Sequence, residues 1–150
     1  MRKDARIELL QNVWLFERCS RKELALLAAN TTLVTAPAGT VLAREGEIGR
    51  EFFVIISGKA EVSRSSMNLR VLGAGEFFGE MALIDRRPRT ASVTATVDCE
   101  LLVLAAGEFS TVVDSMPSVD RKMLGVLVER LRRVEEEYVP PGKRSLSEAV

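Results

Sequence analysis

Short β-rich runs alternate with glycine-bearing turns from residue 31 to residue 104, and this pattern is what most constrains the fold. The turns are marked by Pro37-Ala38-Gly39, Gly46, Gly58 and Gly73-Ala74-Gly75. Many short strands with regular turns are typical of a β-sandwich or jelly roll. The predicted strands are Thr31–Thr35, Thr40–Arg44, Glu51–Ser57, Lys59–Ser63, Leu69–Leu72, Thr90–Val97 and Glu100–Leu104.

The clearest of these strands is Thr90–Val97. Apolar and hydroxyl-bearing residues alternate along it: Ala91, Val93, Ala95 and Val97 against Thr90, Ser92, Thr94 and Thr96. Because successive side chains of a strand point to opposite faces, this strand is predicted to be half-buried.

Helical patterns flank the β-rich region. Ser20 stands three residues before Glu23, the spacing of a capping box that begins a helix. After the strands, helices are predicted over Glu108–Ser115 and over Asp120–Tyr138, with Asp120 as N-cap. We therefore expect an α+β domain spanning 1–139, with N-terminal helices 4–29, a β-roll 31–104 and C-terminal helices 107–139. Pro140-Pro141 ends the last helix, and 140–150 is expected to be a disordered tail or linker.

Composition excludes several classes of function. The 150 residues carry 21 basic and 21 acidic side chains, a balance that argues against direct nucleic-acid binding. The absence of histidine excludes histidine general-base catalysis and histidine-ligated metal sites. No apolar run is long enough to span a membrane and the N-terminus has no signal-peptide core, so a cytoplasmic location is expected.

The stretch from Gly75 to Val93 contains the residues that are expected to bind a ligand. Gly79 allows the backbone to approach a ligand closely, and the turn that starts at Glu80 offers free N–H groups to an anion. Arg89 has a guanidinium that fits a phosphate, and Thr90 adds a hydroxyl and an amide. A carboxylate beside a phosphate site is useful when it accepts a hydrogen bond from a sugar hydroxyl. This spacing predicts a ribose phosphate bound between Glu80 and Arg89; a surface ion pair around a turn is the alternative.

The same stretch resembles the phosphate-binding cassette of the cyclic-nucleotide-binding domain family. That family includes regulatory subunits of cAMP-dependent protein kinase, cyclic-nucleotide-gated channels and catabolite-activator-type regulators. The matching residues are Phe78-Gly79-Glu80, Ala82-Leu83 and Pro88-Arg89-Thr90-Ala91-Ser92-Val93, with Gly46 and Phe53–Gly58 upstream. The resemblance implies an eight-stranded antiparallel β jelly-roll barrel flanked by N-terminal helices and a C-terminal lid helix.

The resemblance also implies the binding site. Glu80 would bind the ribose 2′-hydroxyl, Arg89 the cyclic phosphate, and the amides of Gly79, Ala82 and Thr90 would complete the phosphate site. The full expected set is Val62, Leu72, Phe78, Gly79, Glu80, Met81, Ala82, Leu83, Arg89, Thr90, Ala91, Arg130 and Val134.

Four of these residues are expected to surround the base. Leu72 and Val62 would form an apolar wall beside the purine. Arg130 aligns with a base-facing arginine of the channel members, and Val134 with an apolar lid position. An exposed helix arginine is the alternative interpretation of Arg130.

Thr90 bears on the choice of ligand. A hydroxyl after the cassette arginine is often linked in this family with cGMP contacts, whereas channel members with threonine here can prefer cAMP. We expect cAMP to be the ligand, with cGMP weaker. Neither a metal nor another cofactor is expected.

The last predicted helix carries an apolar stripe at steps of three and four: Leu124, Leu127, Leu131, Val134 and Tyr138. The stripe could close over the purine as a lid or pair with the same helix of a second subunit. Little more than two heptads is short for an independent coiled coil, which favours the lid and leaves a monomer or a weak homodimer.

The resemblance implies a regulatory sensor without enzymatic activity that acts on an unidentified effector protein. A cupin-type metalloenzyme would need histidines. A DNA-binding regulator would need a helix-turn-helix after the long helix, where this chain has about ten residues. Two alternatives stay open: a degenerate domain that serves as a protein interaction module, and a fragment of a larger cAMP-regulated effector.

Overall fold

A computed structural model describes residues 1–137 of the chain. The helices are α1 (Lys3–Gln11), α2 (Arg21–Ala29), α3 (Met81–Ile84), α4 (Ala106–Asp114) and α5 (Pro117–Glu137), with a 3₁₀ turn at Trp14–Phe16. The strands are β1 (Thr32–Ala36), β2 (Val41–Ala43), β3 (Glu51–Ser57), β4 (Ala60–Arg64), β5 (Met67–Leu72), β6 (Phe77–Phe78), β7 (Ser92–Ala95) and β8 (Cys99–Ala105). The α+β order is confirmed. Tyr138, Pro140-Pro141 and the expected tail lie outside the described residues.

The eight strands form two four-stranded antiparallel sheets, in the orders β1-β8-β3-β6 and β2-β7-β4-β5. The eight antiparallel strands that were expected are present, but the barrel is not closed in the described residues, because no ladder joins the two sheets there. A barrel needs continuous pairing around its circumference. The edge strands β2 and β6 have only three and two residues, too few to extend pairing from one sheet to the other.

All seven predicted strands are confirmed, with ends that differ by up to two residues. The strand predicted over Thr90–Val97 is shorter and covers only Ser92–Ala95. Thr90 belongs instead to the preceding loop, where its carbonyl accepts a hydrogen bond from Arg64 Nε (3.0 Å). The two-residue strand β6 was missed, because its apolar pair has no alternation to reveal it.

Two apolar clusters hold these layers together. One lies between the sheets and includes Phe53, Ile55, Val62, Phe78, Val93 and Leu101. The other lies between the first sheet and the helices and includes Leu10, Phe16, Leu27, Phe52, Leu102, Phe109 and Val119. Because neighbouring residues of β3 and β8 point to opposite faces, these two strands contribute to both clusters.

The capping box at the start of α2 is confirmed. Glu23 N donates to Ser20 Oγ (3.2 Å), and Ser20 N donates to Glu23 Oε1 (2.7 Å). Glu23 is nevertheless buried, because its carboxylate also accepts hydrogen bonds from Ser118 Oγ (2.8 Å) and Lys122 Nζ (2.6 Å) of α5. A residue that begins one helix therefore also fixes the start of another.

The last helix begins at Pro117, so the predicted N-cap Asp120 is wrong: it lies in the first turn. Proline is well tolerated there because the first helical N–H groups have no intrahelical acceptor. The side chains of α5 that are buried are Val119, Met123 and Val126.

The predicted apolar stripe of α5 faces away from the core. Leu124, Leu131 and Val134 are 61%, 58% and 62% exposed, and Leu127 is half-buried. The role of the stripe as a lid over a base or as a surface for a second helix stays a prediction. Among them, no helix is long and apolar enough to cross a membrane.

Candidate functional site

A cavity of about 540 Å³ opens between the second sheet and the segment that contains α3. This volume suits a small organic ligand. The predicted residues that line it are Val62, Phe78, Gly79, Glu80, Met81, Ala82, Arg89, Thr90 and Ala91. The structure thus brings most of the expected cassette around one space.

Gly79 makes the turn between β6 and α3 possible. Its φ of +81° lies in the left-handed region, and a Cβ built there would stand 2.6 Å from the carbonyl oxygen of Glu51 and 3.0 Å from Nη1 of Arg89. Only glycine fits this conformation and this spacing without strain. Its missing side chain leaves the room through which Arg89 reaches the cavity.

Arg89 is held in place from three sides. Its Nη2 donates to the carbonyl oxygen of Glu51 (3.0 Å), and its guanidinium carbon lies 5.9 Å from the ring centroid of Phe53. A Cβ built on Gly49 would lie 3.4 Å from that guanidinium carbon, so this glycine also leaves room for the arginine. Burial lowers the pKa of Arg89, and the carboxylates of Glu51 and Glu47 partly offset this effect. The guanidinium nevertheless stays charged at neutral pH.

The loop that carries Arg89 is fixed by its backbone. Arg89 N donates to the carbonyl of Glu47 (2.7 Å), and Gly46 N donates to the carbonyl of Arg89 (2.9 Å). The strand-like pairing continues at Ile48 and Pro88. Because both partners are main chain, the arginine is positioned before any ligand arrives.

Glu80 lies one residue before α3 and lines the same cavity as Arg89. In the described part of the chain, neither residue forms an ion pair, so the surface ion pair considered from the sequence is not observed. Ala82 N already donates to the carbonyl of Gly79 (3.0 Å), so a ligand would have to share that amide. The cavity thus offers a cation and a carboxylate that do not neutralise each other by direct contact.

The expected apolar wall is divided between two depressions. Val62 lines the cavity together with Ala43 and Val93, whereas Leu72 lines a neighbouring depression of about 380 Å³. Leu83 does not line either of them, because it packs into the cluster between the sheet and the helices.

Arg130 and Val134 do not line the cavity in this structure. The guanidinium carbon of Arg130 lies 4.2 Å from the ring centroid of Trp14. The neighbouring Glu129 forms an ion pair with Arg18, which also holds this part of α5 against the N-terminal segment. The predicted contact of Arg130 and Val134 with a base stays a prediction.

Five residues of the cavity were missed from the sequence: Ala43, Gly49, Arg70, Asp85 and Arg87. Pro88 and Val93 also line it and had been matched to the cassette, but without a binding role. Gly49 had a signal, since it follows Gly46 by three residues and shares its loop. Arg70 had one as well, since alternation along its strand places it on the same face as Leu72, which was expected in the site. Among the described residues, no group of three or more acidic or cysteine side chains could hold a metal ion.

An α+β domain with a carboxylate and a guanidinium on the walls of one cavity has the features of a domain that binds a small polar molecule. A model of the cyclic nucleotide-binding domain family matches residues 33–116, which include the whole segment from Gly79 to Thr90. The chain belongs to this family, a family of regulatory ligand-binding domains.

Known proteins and structures agree with this family. The chain is 35% identical over 123 residues to a cyclic nucleotide-gated potassium channel of Rhizobium etli, which covers 82% of this chain and 34% of the channel. It is 33% identical over 106 residues to the cyclic AMP receptor protein of Thermus thermophilus, which covers 67% of this chain and 49% of that protein. The chain therefore spans half or less of the length of these two relatives.

A solved structure has the same fold. It is the N-terminal domain of a transcriptional regulator from Streptomyces coelicolor A3(2), with a TM-score of 0.81 and 31% identity. The match covers 88% of this chain and 98% of that domain.

Proposed function

We propose that this chain is a sensor domain that binds a cyclic nucleotide, prefers cAMP to cGMP and catalyses no reaction itself. One observation carries the proposal: Glu80 and Arg89 line a single cavity of about 540 Å³ without pairing with each other. A cyclic nucleotide has a ribose hydroxyl for the carboxylate and a phosphate for the guanidinium. Such a ligand gives each of the two charges its own partner.

In the proposed complex, Arg89 pairs with the cyclic phosphate. Glu51 already accepts from Nη2 of Arg89, which leaves the other guanidinium donors for phosphate oxygens. The amides of Gly79 and Thr90 complete the phosphate site, and Ala82 shares its amide. Glu80 accepts the hydrogen bond of the ribose 2′-hydroxyl.

The base occupies the apolar side of the cavity. Val62 lines the cavity and Leu72 lines the neighbouring depression, so a base at the boundary between the two spaces would contact both apolar side chains. The preference for cAMP is supported by the relative that is named a cyclic AMP receptor protein. The hydroxyl of Thr90 suits cGMP as well, so the proposed preference for cAMP over cGMP is modest rather than absolute.

The proposed signal is a shift in the population of α5 positions. In this structure Arg130 lies on Trp14 and Val134 is 62% exposed. Nucleotide binding would favour a state in which this half of α5 covers the base with Arg130 and Val134. The exposed stripe would be covered by nucleotide in the sensor, or by a second copy in a weak homodimer, and sedimentation velocity with and without cAMP separates these cases.

The experiment that tests the proposed function is a calorimetric titration of the purified protein with cAMP and then with cGMP. We expect saturable one-to-one binding at micromolar affinity or better, with cAMP the tighter ligand. If cGMP binds more tightly, the cAMP preference is wrong. If neither nucleotide gives heat at several temperatures while the protein is folded, the cassette is vestigial and the chain serves as a protein interaction module.

The effector is a further part of the proposal. The two relatives compared above are named as a potassium channel and a cyclic AMP receptor protein. This chain matches 34% of the length of the first and 49% of the length of the second. A cyclic-nucleotide sensor within a larger cAMP-regulated protein is consistent with those fractions. With equal numbers of acidic and basic residues, the domain itself is not proposed to bind nucleic acid.

A further inference from the structure

Arg70 points into the candidate site from β5. It lies opposite Val62 in the β4–β5 ladder, and Leu72 lies opposite Ala60 two residues further on. Residues directly opposite each other in an antiparallel pair present their side chains on the same face. Val62, Leu72 and Ala60 are all buried on the inner face of their sheet. Arg70 therefore belongs to the wall expected to hold the base, where it is the only charged residue among these four.

The side chain of Arg70 makes no ion pair and no hydrogen bond within residues 1–137. It lines both the cavity and the neighbouring depression, and Glu80 is the other residue that lines both. Arg70 and Glu80 thus mark the boundary between the two spaces. A planar guanidinium above an apolar wall has its flat face and its donors available to a ligand.

The connectivity of a cyclic nucleotide determines which part of the ligand reaches this boundary. The cyclic phosphate bridges the 3′ and 5′ oxygens, whereas the base is attached to C1′, next to the carbon that bears the 2′-hydroxyl. If Arg89 binds the phosphate and Glu80 binds the 2′-hydroxyl, the base lies on the Glu80 side of the sugar. Arg70 is the cationic residue of the cavity that shares this side with Glu80.

We propose that Arg70 contacts the base of the bound nucleotide, with its guanidinium plane against the purine ring. This inference rests on the proposed function. It adds a residue that contacts the base rather than the sugar or the phosphate. A guanidinium stacked on an aromatic ring gains from the attraction between a cation and the π electrons, and arginine does this better than lysine because it is planar and weakly hydrated.

The test measures cAMP and cGMP binding by calorimetry to the wild type, to Arg70→Met and to Lys59→Met. Methionine keeps much of the length of the arginine side chain and removes its charge. Lys59 is exposed in the turn before β4 and does not line the cavity, so its variant removes one charge at a distance. We expect Arg70→Met to weaken nucleotide binding about tenfold and Lys59→Met to change it less than about twofold.

A second measurement reports the contact itself. With arginine labelled in ¹³C and nucleotide bound, we expect nuclear Overhauser effects between the Arg70 δ protons and the base protons H8 or H2. Effects to ribose protons alone would show that Arg70 contacts the sugar and would overturn the inference. Normal affinity in Arg70→Met with normal binding by the wild type would overturn it as well and leave the proposed function intact. Failure of the wild type to bind either nucleotide would overturn both.

Discussion

The segment Gly79–Thr90, which lines the cavity, and helix α5, which is proposed to cover it, are attached to the domain in different ways. The segment is fixed through main-chain atoms: Arg89 N and its carbonyl pair with the 46–49 loop, and the Thr90 carbonyl accepts from Arg64. The C-terminal half of α5 is attached through side chains, by Arg130 on Trp14 and by the ion pair of Glu129 with Arg18.

This difference indicates which part of the molecule can respond to a ligand. Main-chain pairing orders the phosphate side of the cavity in advance, so binding there costs little additional ordering. Exposed ion pairs and cation–π contacts contribute only about 1 kcal/mol or less each. If the proposed nucleotide contacts replace them, we expect the segment Gly79–Thr90 to act as a fixed wall of the cavity and the C-terminal half of α5 to move.

The largest effect on nucleotide affinity is expected when the Arg89 side chain is removed from the fixed wall. Loss of one partner of a buried charge pair costs about 2–5 kcal/mol. Arg89→Ala should therefore weaken cAMP binding at least about thirtyfold, measured by calorimetry. Circular dichroism should show an unchanged fold.

Arg86→Ala is the matched control for that variant. Arg86 is exposed in the same basic loop and does not line the cavity. It should bind cAMP within about twofold of the wild type, since exposed charges contribute little. Near-normal affinity of the Arg89 variant would show that the cavity described here is not the nucleotide site.

The second prediction concerns the turn that shapes the fixed wall. Gly79→Ala places a Cβ 2.6 Å from the Glu51 carbonyl oxygen at a φ of +81°. We expect a loss of about 2 kcal/mol or more in the free energy of unfolding, measured by denaturant titration, together with weaker nucleotide binding. Gly107→Ala is the control, because Gly107 lies in α4 with open space around it and alanine favours helices. Equal stability of the two variants would contradict this account of the turn.

The fixed wall was also the part that the sequence predicted best. Gly79, Glu80 and Arg89 lie within eleven residues of one another in the sequence. Local chain geometry is therefore enough to bring them together in space. The capping box of Ser20 and Glu23 was predictable for the same reason. The attachment of Glu23 to Lys122 was not, because ninety-nine residues separate the two side chains and only tertiary packing joins them.

The position of α5 was the least predictable feature. Its sequence contains two apolar stripes, one through Val119, Met123 and Val126 and another through Leu124, Leu131 and Val134. Periodicity identifies both stripes but cannot decide which one meets the core. Arg70 was missed for a different reason: alternation places it on the face of Leu72, but a charged side chain in a strand is ordinarily assigned to solvent.

The third prediction tests the contact of Glu23 with the start of α5. Burial alone would raise the pKa of Glu23, but hydrogen bonds from Lys122, Ser20 and Ser118 outweigh it and lower this pKa from 4.5 to about 2. Because the folded value lies below the unfolded one, the carboxylate stabilises the fold above about pH 4.5, and this contribution is lost as the pH falls toward 2.

Glu23→Gln should therefore cost about 2 kcal/mol of unfolding free energy at pH 7, and less as the pH falls below 4.5. Denaturant titrations of both proteins at pH 7 and pH 3 measure the difference. Glu8→Gln, an exposed change on α1, should stay within about 0.5 kcal/mol of the wild type at both values. A constant difference between wild type and Glu23→Gln across this range would show that the ionised carboxylate is not what holds the start of α5.

The smallest predicted effect concerns the movable half of α5 and has the opposite sign. The contact of Arg130 with Trp14 holds α5 in a position in which Arg130 does not line the cavity, so its removal should favour the covering position proposed for the nucleotide complex. Trp14→Leu keeps apolar bulk against Phe77 and removes the indole face. The contact contributes about 0.5–1 kcal/mol, so cAMP affinity should rise about two- to fivefold by calorimetry.

Trp14→Phe, which keeps an aromatic face, should remain close to the wild type. Arg130→Ala separates the two roles proposed for this arginine, because it frees the helix from Trp14 and also removes the expected contact with the base. If Arg130 contacts the base in the complex, this variant binds cAMP more weakly than Trp14→Leu does, although neither retains the contact with the indole. Equal affinities of the two variants would mean that Arg130 serves only to hold α5 away from the cavity, and that the part of the lid which reads the base lies elsewhere on the helix.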